Sequence, residues 1–242
     1  MSRPKMVVIG GSGTLGRVVA RTLAAAGARV GLTYFQGETV ARELCQSLDG
    51  AVSRRLDLTR TDDIAGALDD LSRDLGGIDG VIHCATVGTT TADGSFDKVE
   101  TTTSGGWDRL MSVNVKSAFF TVQHAVTHLP NGGNIVLVGS IDGVKSVPAP
   151  IAYAASKGAL RAMVTALAKE LGPKNLRFNV VAPGVLEAGA SHLLPDDLRA
   201  QYLRHSGSKR LGRLQEVADL CAFLLLENTY VTGQTIVVDG GL

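Results

Sequence analysis

The sequence has few cysteines, few aromatic residues and no excess of charge of either sign. Its 242 residues include three cysteines, which stand far apart at Cys45, Cys84 and Cys221. That spacing predicts neither a disulfide framework nor a zinc site. A net charge of +1 offers no electrostatic footprint for nucleic acid or for an anionic membrane. We therefore expect no metal, no nucleic acid and no membrane as a partner.

Long hydrophobic runs are missing as well. The apolar run before the first glycine covers only residues 6–9, which is too short for the core of a signal peptide. No stretch reaches the roughly 18 apolar residues of a membrane span. Because 45% of the residues are hydrophobic, a chain of this length can bury a large core. These features predict a cytoplasmic protein with a single domain over residues 1–242.

Short apolar segments alternate with segments of helical periodicity. The strand candidates are Lys5–Ile9, Arg29–Thr33, Val52–Leu56, Gly80–Cys84, Asn134–Val138, Arg177–Val181 and Thr235–Val238. The helix candidates lie near 15–26, 38–48, 61–75, 107–129, 151–171 and 214–226. This alternation is typical of an α/β fold with a parallel sheet and helices on both faces. The segments 86–106 and 186–213 follow strands and have no assigned structure, so we expect them to border a ligand site.

The segment "VVIGGSGTLG", residues 7–16, contains a glycine pattern. Gly11, Gly13 and Gly16 fit G-x-G-x-x-G between a strand and a helix. In that context glycines permit a tight turn, and a pyrophosphate can approach the free amides at the helix N-terminus. Ser12 adds a hydroxyl donor. A plain β-to-α turn explains a lone glycine pattern about equally well, but the position after the first strand favours a nucleotide.

A second group of residues indicates proton-transfer chemistry. The segment "YAASK" places Tyr153 and Lys157 four residues apart, hence on one face of a helix. A neighbouring ammonium lowers the pKa of a phenol, so the tyrosine could exchange a proton with an alkoxide. Ser140 ends a predicted strand, and Asn114 lies in an apolar helix, where a buried amide needs partners. Each residue alone has an ordinary structural explanation; their joint occurrence favours an active site.

On these motifs the sequence resembles the short-chain dehydrogenase/reductase family over nearly its full length, down to the terminal "YVTGQTIVVDGG". Within the family it is most similar to ketoreductases such as the 3-oxoacyl-[acyl-carrier-protein] reductases. The resemblance implies a Rossmann-type, doubly wound sheet of seven parallel strands with helices on both faces. It also implies a catalytic tetrad of Asn114, Ser140, Tyr153 and Lys157.

The resemblance assigns a role to each tetrad residue. Tyr153 donates the proton to the developing alkoxide, and Ser140 binds the same oxygen. Lys157 lowers the pKa of the tyrosine and holds the nicotinamide ribose, while Asn114 binds a water that links Lys157 to solvent. The implied cofactor contacts are Gly10, Ser12, Gly13, Thr14, Leu15, Gly16, Tyr34, Asp57, Leu58, Ala85, Lys157, Pro183, Gly184 and Val185. Asp57 is expected at the adenine, and Pro183 and Gly184 at the nicotinamide.

Several positions depart from the family pattern. In the glycine turn, Ile9 replaces a threonine and Thr14 replaces the middle glycine. After the fourth strand, Cys84 replaces an asparagine and Thr86 a glycine. Ala188 stands where many members have a threonine that holds the nicotinamide carboxamide, so we expect backbone groups such as those of Val185 to orient the cofactor.

The end of the second predicted strand indicates which dinucleotide binds. It carries Tyr34, Phe35 and Gln36, with no acid before Glu38. The carboxylate that would bind a ribose 2′-hydroxyl and repel a 2′-phosphate is therefore absent. We expect NADP(H) to be preferred and NAD(H) to be possible, with Arg17 or Arg54 as the basic residue at the phosphate.

Three functions remain open at this point. The first is reduction of a carbonyl, either a 3-oxoacyl thioester or a related ketone, to a secondary alcohol. The second is oxidation of a sugar, steroid or secondary metabolite by the same fold, and the third is a non-catalytic dinucleotide-binding sensor. The intact tetrad argues against the sensor. We expect residues 141–152 and the substrate loop 186–213 to line the substrate pocket with Val144, Val147, Ile151, Leu186, His192 and Leu193.

Two kinds of partner are also expected. An acyl carrier protein could deliver the substrate, although the basic residues for docking are few: Arg109, Lys116 and Lys174. The resemblance further implies a homotetramer in which the helices matching 107–129 and 151–171 pair across subunits. The second helix offers small residues for such close packing, namely Ala155, Ala159, Ala162 and Ala166.

Overall fold

The computed structural model describes residues 3–88, 98–189, 194 and 196–242. Within these residues one sheet has the parallel strand order β3-β2-β1-β4-β5-β6-β7. Its strands are β1 Lys5–Ile9, β2 Arg29–Tyr34, β3 Val52–Arg55, β4 Gly80–His83, β5 Asn134–Val138, β6 Arg177–Pro183 and β7 Thr235–Val238. The predicted seven-stranded, doubly wound sheet is confirmed.

Helices cover both faces of this sheet. They are α1 Thr14–Ala25, α2 Glu38–Ser47, α3 Asp63–Leu75, α4 Ser104–Met111, α5 Ser117–Ala125, α6 Ile151–Leu171, α7 Asp196–His205 and α8 Leu214–Leu226. A π-helix, Ser112–Lys116, joins α4 to α5, and short 3₁₀ turns occupy Ile141–Gly143 and Gly172–Lys174. The predicted helices over 151–171 and 214–226 have the observed bounds.

The core lies in two layers because side chains of a strand point alternately to the two faces. On β1, Val7 and Ile9 pack with the layer that contains α3, α5 and α6. Met6 and Val8 pack with the layer that contains α1, α2 and α8. All four side chains are buried, as expected for a parallel sheet covered on both faces.

Two expectations about the helices are wrong in detail. The single helix predicted over 107–129 consists of three elements, namely α4, the π-helix and α5. The first of them begins at Ser104, because Thr103 Oγ1 accepts a hydrogen bond from the Gly106 amide and so caps the helix. The segment 186–213, predicted without helix, contains α7. Acidic residues in the first turn of α7 and basic residues in its last turn suit the helix dipole. Of the side chains described in α7, only Tyr202 is buried. The segment therefore has no helical repeat of hydrophobic residues from which the helix could have been predicted.

The strand order places a crevice at one edge of the sheet. The order reverses between β1 and β4, whose last residues Ile9 and His83 pair with each other. The connections leave these two strands toward opposite faces, so a gap opens beyond their carboxyl ends. The glycine turn follows β1, and the segment with Ala85 and Thr86 follows β4. The predicted cofactor-binding residues of these two segments therefore lie at this switch point.

Candidate active site

The glycine turn after β1 is built on close backbone contacts. Gly10 has φ +79°, and a Cβ on it would lie 2.9 Å from the Cβ of Ala85. A Cβ on Gly16 would overlap the carbonyl oxygen of Gly10. The Gly10 amide donates to Thr33 Oγ1 at 3.0 Å, which ties the turn to β2. Gly10 is therefore required by the close approach of the chain after β4, and Gly16 by the packing of α1 onto the turn.

The start of α1 faces the crevice with free amides. Gly13 is the N-cap residue, and among the described residues no side chain caps the helix. The first amides of a helix have no partner inside it, and they carry a partial positive charge. Gly189 from the segment after β6 lies nearby, because a Cβ on it would be 3.6 Å from the Cβ of Thr14. The predicted residues Gly13, Thr14, Leu15 and Gly16 thus lie at the helix end where an anion would be favoured.

The end of β6 forms the other wall. A Cβ on Gly184 would lie 2.5 Å from the hydroxyl oxygen of Tyr202 on α7. The Gly184 amide donates to the carbonyl of Val238, and the carbonyl of Val185 accepts from the Gly212 amide at 3.0 Å. Pro183 is buried at the end of the strand. This segment is held in place by α7 and by the chain on either side of it.

The region beyond β2 is close to the glycine turn. A Cβ on Gly37 would lie 2.9 Å from Ser12 Oγ, so the chain that follows Tyr34 touches the turn. Arg54, one of the two predicted phosphate ligands, instead pairs with Asp70 and Asp74 on α3. Its ion pairs direct it away from this region, which makes that part of the prediction wrong.

Arg55, the last residue of β3, places a cation beside the end of β2. Its guanidinium carbon lies 5.4 Å from the centre of the Phe35 ring, and its Nε donates to the Phe35 carbonyl at 3.3 Å. Within the described part of the chain it forms no ion pair. The side chain is exposed. Sequence reasoning missed this residue because its contact with Phe35 depends on the register of β2 against β3.

Asp57 and Leu58 follow β3. Asp57 Oδ1 accepts hydrogen bonds from the Thr59 amide at 3.0 Å and the Thr59 hydroxyl at 2.7 Å. These bonds, the hydroxyl first, lower the pKa of the Asp57 carboxyl. Leu58 packs into the core. Asp57 is thus an ionised hydrogen-bond acceptor in the chain just after β3.

Tyr153 and Lys157 lie together on α6. The helix begins at Ile151, after Pro150, so Tyr153 stands in its first turn and Lys157 one turn later. The Lys157 Nζ is 5.5 Å from the centre of the Tyr153 ring and donates to the carbonyl of Val138 at 2.9 Å. Both side chains are buried. The predicted pair on one helix face is present.

The protonation state of Tyr153 differs from the expectation. Burial raises the pKa of its phenol, the charge of Asp142 raises it further, and the hydroxyls of Thr86 and Ser140 lower it. The prediction that Lys157 gives Tyr153 a lowered pKa is therefore wrong for this structure. Burial disfavours the phenolate, so Tyr153 keeps its proton at neutral pH. Burial also lowers the pKa of Lys157 to about 8.

Asn114 lies in the π-helix and is buried. Its Oδ1 accepts from the Val87 amide at 2.9 Å and from the Thr86 hydroxyl at 3.4 Å. Its Nδ2 donates to the Val87 carbonyl at 3.0 Å and to Ser156 Oγ at 3.1 Å. An amide side chain has two donors and two principal acceptor positions, and protein partners take all of them. The predicted water link to Lys157 could therefore use only the backbone of Asn114.

Ser140 has an acidic partner that sequence reasoning missed. Its hydroxyl donates to Asp142 Oδ2 at 2.9 Å. Burial raises the pKa of the Asp142 carboxyl, while the bond from Ser140 and the charge of Lys157 lower it. The one available signal was an acid two residues after the serine in "GSIDG". The short helical turn that folds Asp142 back onto Ser140 was not predictable from periodicity.

Two further groups near Lys157 are neutral. Burial raises the pKa of the Cys84 thiol to about 12, so the residue that replaces the family asparagine is not a nucleophile. Burial lowers the pKa of His83 to about 3. Ser117 Oγ donates to the Val113 carbonyl at 2.6 Å and lies 2.9 Å from His83 Nε2. Since the serine proton is already used, His83 Nε2 is the donor in that contact.

A cleft lies between α4 and the first residues of α6. It has a volume of about 280 Å³ and reaches Ala152, the neighbour of Tyr153. Its lining consists of Val99, Thr102, Thr103, Ser104, Trp107, Ile151 and Ala152. Of the predicted pocket residues, Ile151 lines this cleft, whereas Leu186 packs in the core. His192 and Leu193 lie outside the described residues.

The sheet order and the glycine turn define a dinucleotide-binding fold of the Rossmann type. A family model described as enoyl-(acyl carrier protein) reductase matches residues 11–242. The chain belongs to the short-chain dehydrogenase/reductase family.

Relatives of known name cover nearly the whole chain. The 3-oxoacyl-[acyl-carrier-protein] reductase FabG of Escherichia coli (strain K12) is 32% identical, over 98% of this chain and 96% of that protein. The cyclic-di-GMP-binding biofilm dispersal mediator protein of the same organism is 31% identical, over 97% of this chain and 95% of that protein. A short-chain dehydrogenase from Burkholderia cenocepacia J2315, solved in complex with NADP, is 28% identical with a TM-score of 0.88, over 98% of this chain and 97% of that one.

Proposed function

We propose that the protein is an NADPH-dependent ketoreductase that reduces a 3-oxoacyl thioester or a related ketone to a secondary alcohol. The observation that carries the proposal is the cluster of the partly buried Ser140 with the buried Tyr153 and Lys157, in a fold that also has the glycine turn. A nucleotide-binding turn alone would require none of these side chains. Membership in an oxidoreductase family supports the same conclusion.

The proposed mechanism uses Tyr153 as the general acid. When bound, the nicotinamide supplies the hydride to the carbonyl carbon. Tyr153 donates its proton to the carbonyl oxygen as negative charge develops there. With its pKa raised by burial, Tyr153 carries its proton at neutral pH, as a general acid must. Ser140 orients the same oxygen, and Lys157 places a positive charge one helical turn away.

The residues of the crevice fit a dinucleotide. Gly10 and Gly16 leave space that a Cβ would fill, and the α1 amides can hold the pyrophosphate. Lys157 would hold the nicotinamide ribose, and Pro183, Gly184 and Val185 would border the nicotinamide. At the adenosine end, Ser12, Tyr34, Asp57, Leu58 and Ala85 complete the proposed contacts.

The preference for NADPH is also a proposal. No acid follows β2 before Glu38, so a 2′-phosphate meets no carboxylate at the strand end. Arg55, exposed and stacked on Phe35, supplies a cation to the same region. The relative from Burkholderia was solved with NADP, which supports this choice.

The substrate is proposed to have an apolar arm. The cleft with Trp107 and Ile151 suits such a group next to the carbonyl held at Tyr153. A relative named 3-oxoacyl-[acyl-carrier-protein] reductase supports a thioester, delivered by an acyl carrier protein or free. Arg109, Lys116 and Lys174 are the cations proposed for docking.

A sensor function is the second candidate, because one relative is named a cyclic-di-GMP-binding mediator protein. The buried Tyr153–Lys157 pair weighs against it, since ligand binding alone does not need a proton donor. Titration with cyclic di-GMP tests the sensor directly. Binding in the absence of any NADPH-dependent turnover would favour the sensor over the reductase.

We propose a cytoplasmic location and a homotetrameric assembly. Cys45, Cys84 and Cys221 are free thiols, which fits a reducing compartment. No helix in the described ranges is long and apolar enough to cross a bilayer. On α6, Ala155, Ala162 and Ala166 are exposed, and Ala159 is partly buried; these small side chains support close pairing with a second subunit.

The direct experiment is an assay of the purified protein with NADPH and a panel of β-keto thioesters, diketones and quinones. The matching secondary alcohols, and a set of sugar and steroid alcohols, are assayed with NADP⁺ at the same pH. We expect NADPH oxidation with at least one ketone and formation of its alcohol. Turnover of sugar or steroid alcohols without any ketone reduction would favour the oxidative alternative.

A further inference from the structure

Lys145 follows the short turn that comes after Ser140. The Gly143 amide donates to the Ser140 carbonyl at 3.1 Å, and the Lys145 amide donates to the Ile141 carbonyl at 2.7 Å. A Cβ on Gly143 would lie 2.5 Å from the carbonyl carbon of Lys157, so the turn is pressed against α6. Because these bonds close the turn, the backbone of Lys145 is fixed relative to Ser140 and to α6.

The side chain of Lys145 pairs with Asp239, which follows β7. Its Nζ donates to Asp239 Oδ2 at 2.5 Å and also contacts the main-chain oxygen of Leu242. The Asp239 side chain is 8% exposed and that of Lys145 is 35% exposed. Burial raises the pKa of the Asp239 carboxyl, but the hydrogen bonds from Lys145 and from the Gly241 amide outweigh burial and hold the pKa below its usual value. The two side chains therefore form an ion pair that solvent screens only in part.

Asp239 also contacts α7 and the chain that follows β6. Its carbonyl accepts a hydrogen bond from the Tyr202 hydroxyl at 2.7 Å, and Tyr202 is the buried side chain of α7. A Cβ on Gly184 would lie 2.5 Å from that hydroxyl oxygen and 2.9 Å from the Cβ of Asp239. Asp239 therefore joins the turn that carries Lys145 to α7 and to the glycine in the wall of the crevice.

We propose that Lys145 and Asp239 are positioning residues that hold α7 in place at the substrate side of the site. The inference rests on the proposed reductase function, in which the segment 186–213 lines the substrate pocket. Of the side chains described in α7, only Tyr202 is buried, so apolar packing alone holds this helix weakly. The bond from Tyr202 to Asp239, and the ion pair of Asp239 with Lys145, then determine where α7 lies relative to α6.

Loss of the ion pair should weaken substrate binding more than it slows the chemical step. The turn after Ser140 stays packed on α6 through Gly143, so the catalytic side chains keep their geometry while α7 loses a contact. An interaction of equal strength in the ground state and the transition state changes KM and leaves kcat unchanged. The Kd for NADPH should be retained, because the proposed pyrophosphate contacts come from α1.

The test measures the reduction of acetoacetyl-coenzyme A by NADPH in Lys145→Met, Asp239→Asn and the wild type. Each substitution removes one charge and leaves its partner without an opposite charge in a partly buried position. We expect the KM for the ketone to rise about tenfold while kcat changes by less than about threefold. Hydrogen exchange of the α7 amides, residues 196–205, should become faster in both variants, with exchange in α8 unchanged.

Three more variants separate positioning from a general loss of stability. Tyr202→Phe removes the hydrogen bond to the Asp239 carbonyl and should raise the KM in the same direction. The double variant with Lys145→Met and Asp239→Asn has no unpaired charge, so its KM should be no higher than that of the more impaired single variant. Asp49→Asn, which breaks the exposed Arg3–Asp49 pair of the same 2.5 Å length, is the matched control and should behave as wild type.

The outcomes distinguish the positioning role from the proposed function. If the wild type reduces no ketone, the reductase proposal fails, and unchanged exchange of α7 in Lys145→Met would overturn the positioning role separately. If the wild type is active while Lys145→Met keeps the wild-type KM and the wild-type exchange, the positioning role alone is overturned. A fall in kcat with unchanged KM, or additive changes in the double variant, would also overturn it. Should Asp239→Asn fail to fold, Lys145→Met at the more exposed partner decides by the same two measurements.

Discussion

At the scale of single residues, burial sets the charges around Lys157. The pKa of His83 is lowered to about 3 and that of the Cys84 thiol is raised to about 12, in both cases chiefly by loss of hydration. Tyr153 is held in its protonated form in the same way. Among the groups described around Lys157, Lys157 itself and Asp142 can carry charge. The charge of the pocket therefore depends on whether each of these two groups is protonated.

The buried His83 makes folding stability depend on pH. Its folded pKa of about 3 lies below the usual 6.5, so between these values the unfolded chain binds a proton that the folded chain does not. The free energy of unfolding should therefore fall by up to about 1.4 kcal/mol per pH unit as the pH drops through this window. Urea unfolding at several pH values, compared with His83→Gln, measures the effect. An identical pH dependence in both proteins would contradict it.

Tyr34 offers a test of cofactor choice at a single position. Tyr34→Asp adds a carboxylate at the end of β2, where it can bind a ribose 2′-hydroxyl and repel a 2′-phosphate. We expect the ratio of kcat/KM for NADPH to that for NADH to fall in the variant. A wild type that prefers NADH, or a variant with an unchanged ratio, would show that this strand end does not set the choice.

A residue of the site could be predicted from the sequence where local geometry alone positions it. Tyr153 and Lys157 share one helix face at a spacing of four, and helix geometry alone brings such side chains together. Asp142 depends on a three-residue turn, and Arg55 on a strand register. The raised pKa of Tyr153 depends on burial by the finished fold, so reasoning from its lysine neighbour alone gave the wrong direction.

At the scale of elements, the ends of β2 and β3 and the glycine turn form the proposed adenosine end of the crevice. Tyr34 on β2 is in register with Arg55 on β3, which places the exposed guanidinium over Phe35. Arg54, one residue earlier, turns to α3. The two adjacent arginines of β3 therefore point to opposite faces of the sheet. Substituting each of them in turn gives a test variant and a matched control.

Arg55→Gln should weaken NADPH binding and leave NADH binding unchanged. Loss of one charge-assisted contact to phosphate should raise the Kd for NADPH about tenfold, a free-energy change of about 1.4 kcal/mol. Fluorescence titration of both nucleotides measures this. Arg54→Gln is the control and should keep the wild-type ratio of the two Kd values. Equal weakening of NADPH and NADH by Arg55→Gln would contradict the assignment.

Elements with strong periodicity could be predicted, and irregular ones could not. The bounds of α6 and α8 agree with the sequence pattern, because each carries a regular set of buried residues. The π-helix Ser112–Lys116 interrupts a pattern that looks continuous in sequence. Such insertions shift the helix register without a residue signature, and they are frequent at functional sites. Here the insertion holds Asn114 against Val87.

At the scale of the whole molecule, several large apolar side chains remain at the surface. Phe119 on α5 is 44% exposed, Phe223 on α8 is 46% exposed and Tyr230 is 93% exposed. We predict that they and the small residues of α6 are covered in a homotetramer. Light scattering at micromolar concentration should give four times the chain mass of 25.2 kDa. A monomer mass would contradict the prediction.

The central claim is that Tyr153 supplies the proton for carbonyl reduction. The most direct measurement is kcat of Tyr153→Phe with NADPH and a β-keto thioester, together with the Kd for NADPH. Tyr230→Phe, at an exposed position, is the control for loss of a phenol. We predict that Tyr153→Phe lowers kcat by about 10²–10⁴ with nucleotide affinity retained, while the control behaves as wild type. Near-full turnover by Tyr153→Phe would contradict the account.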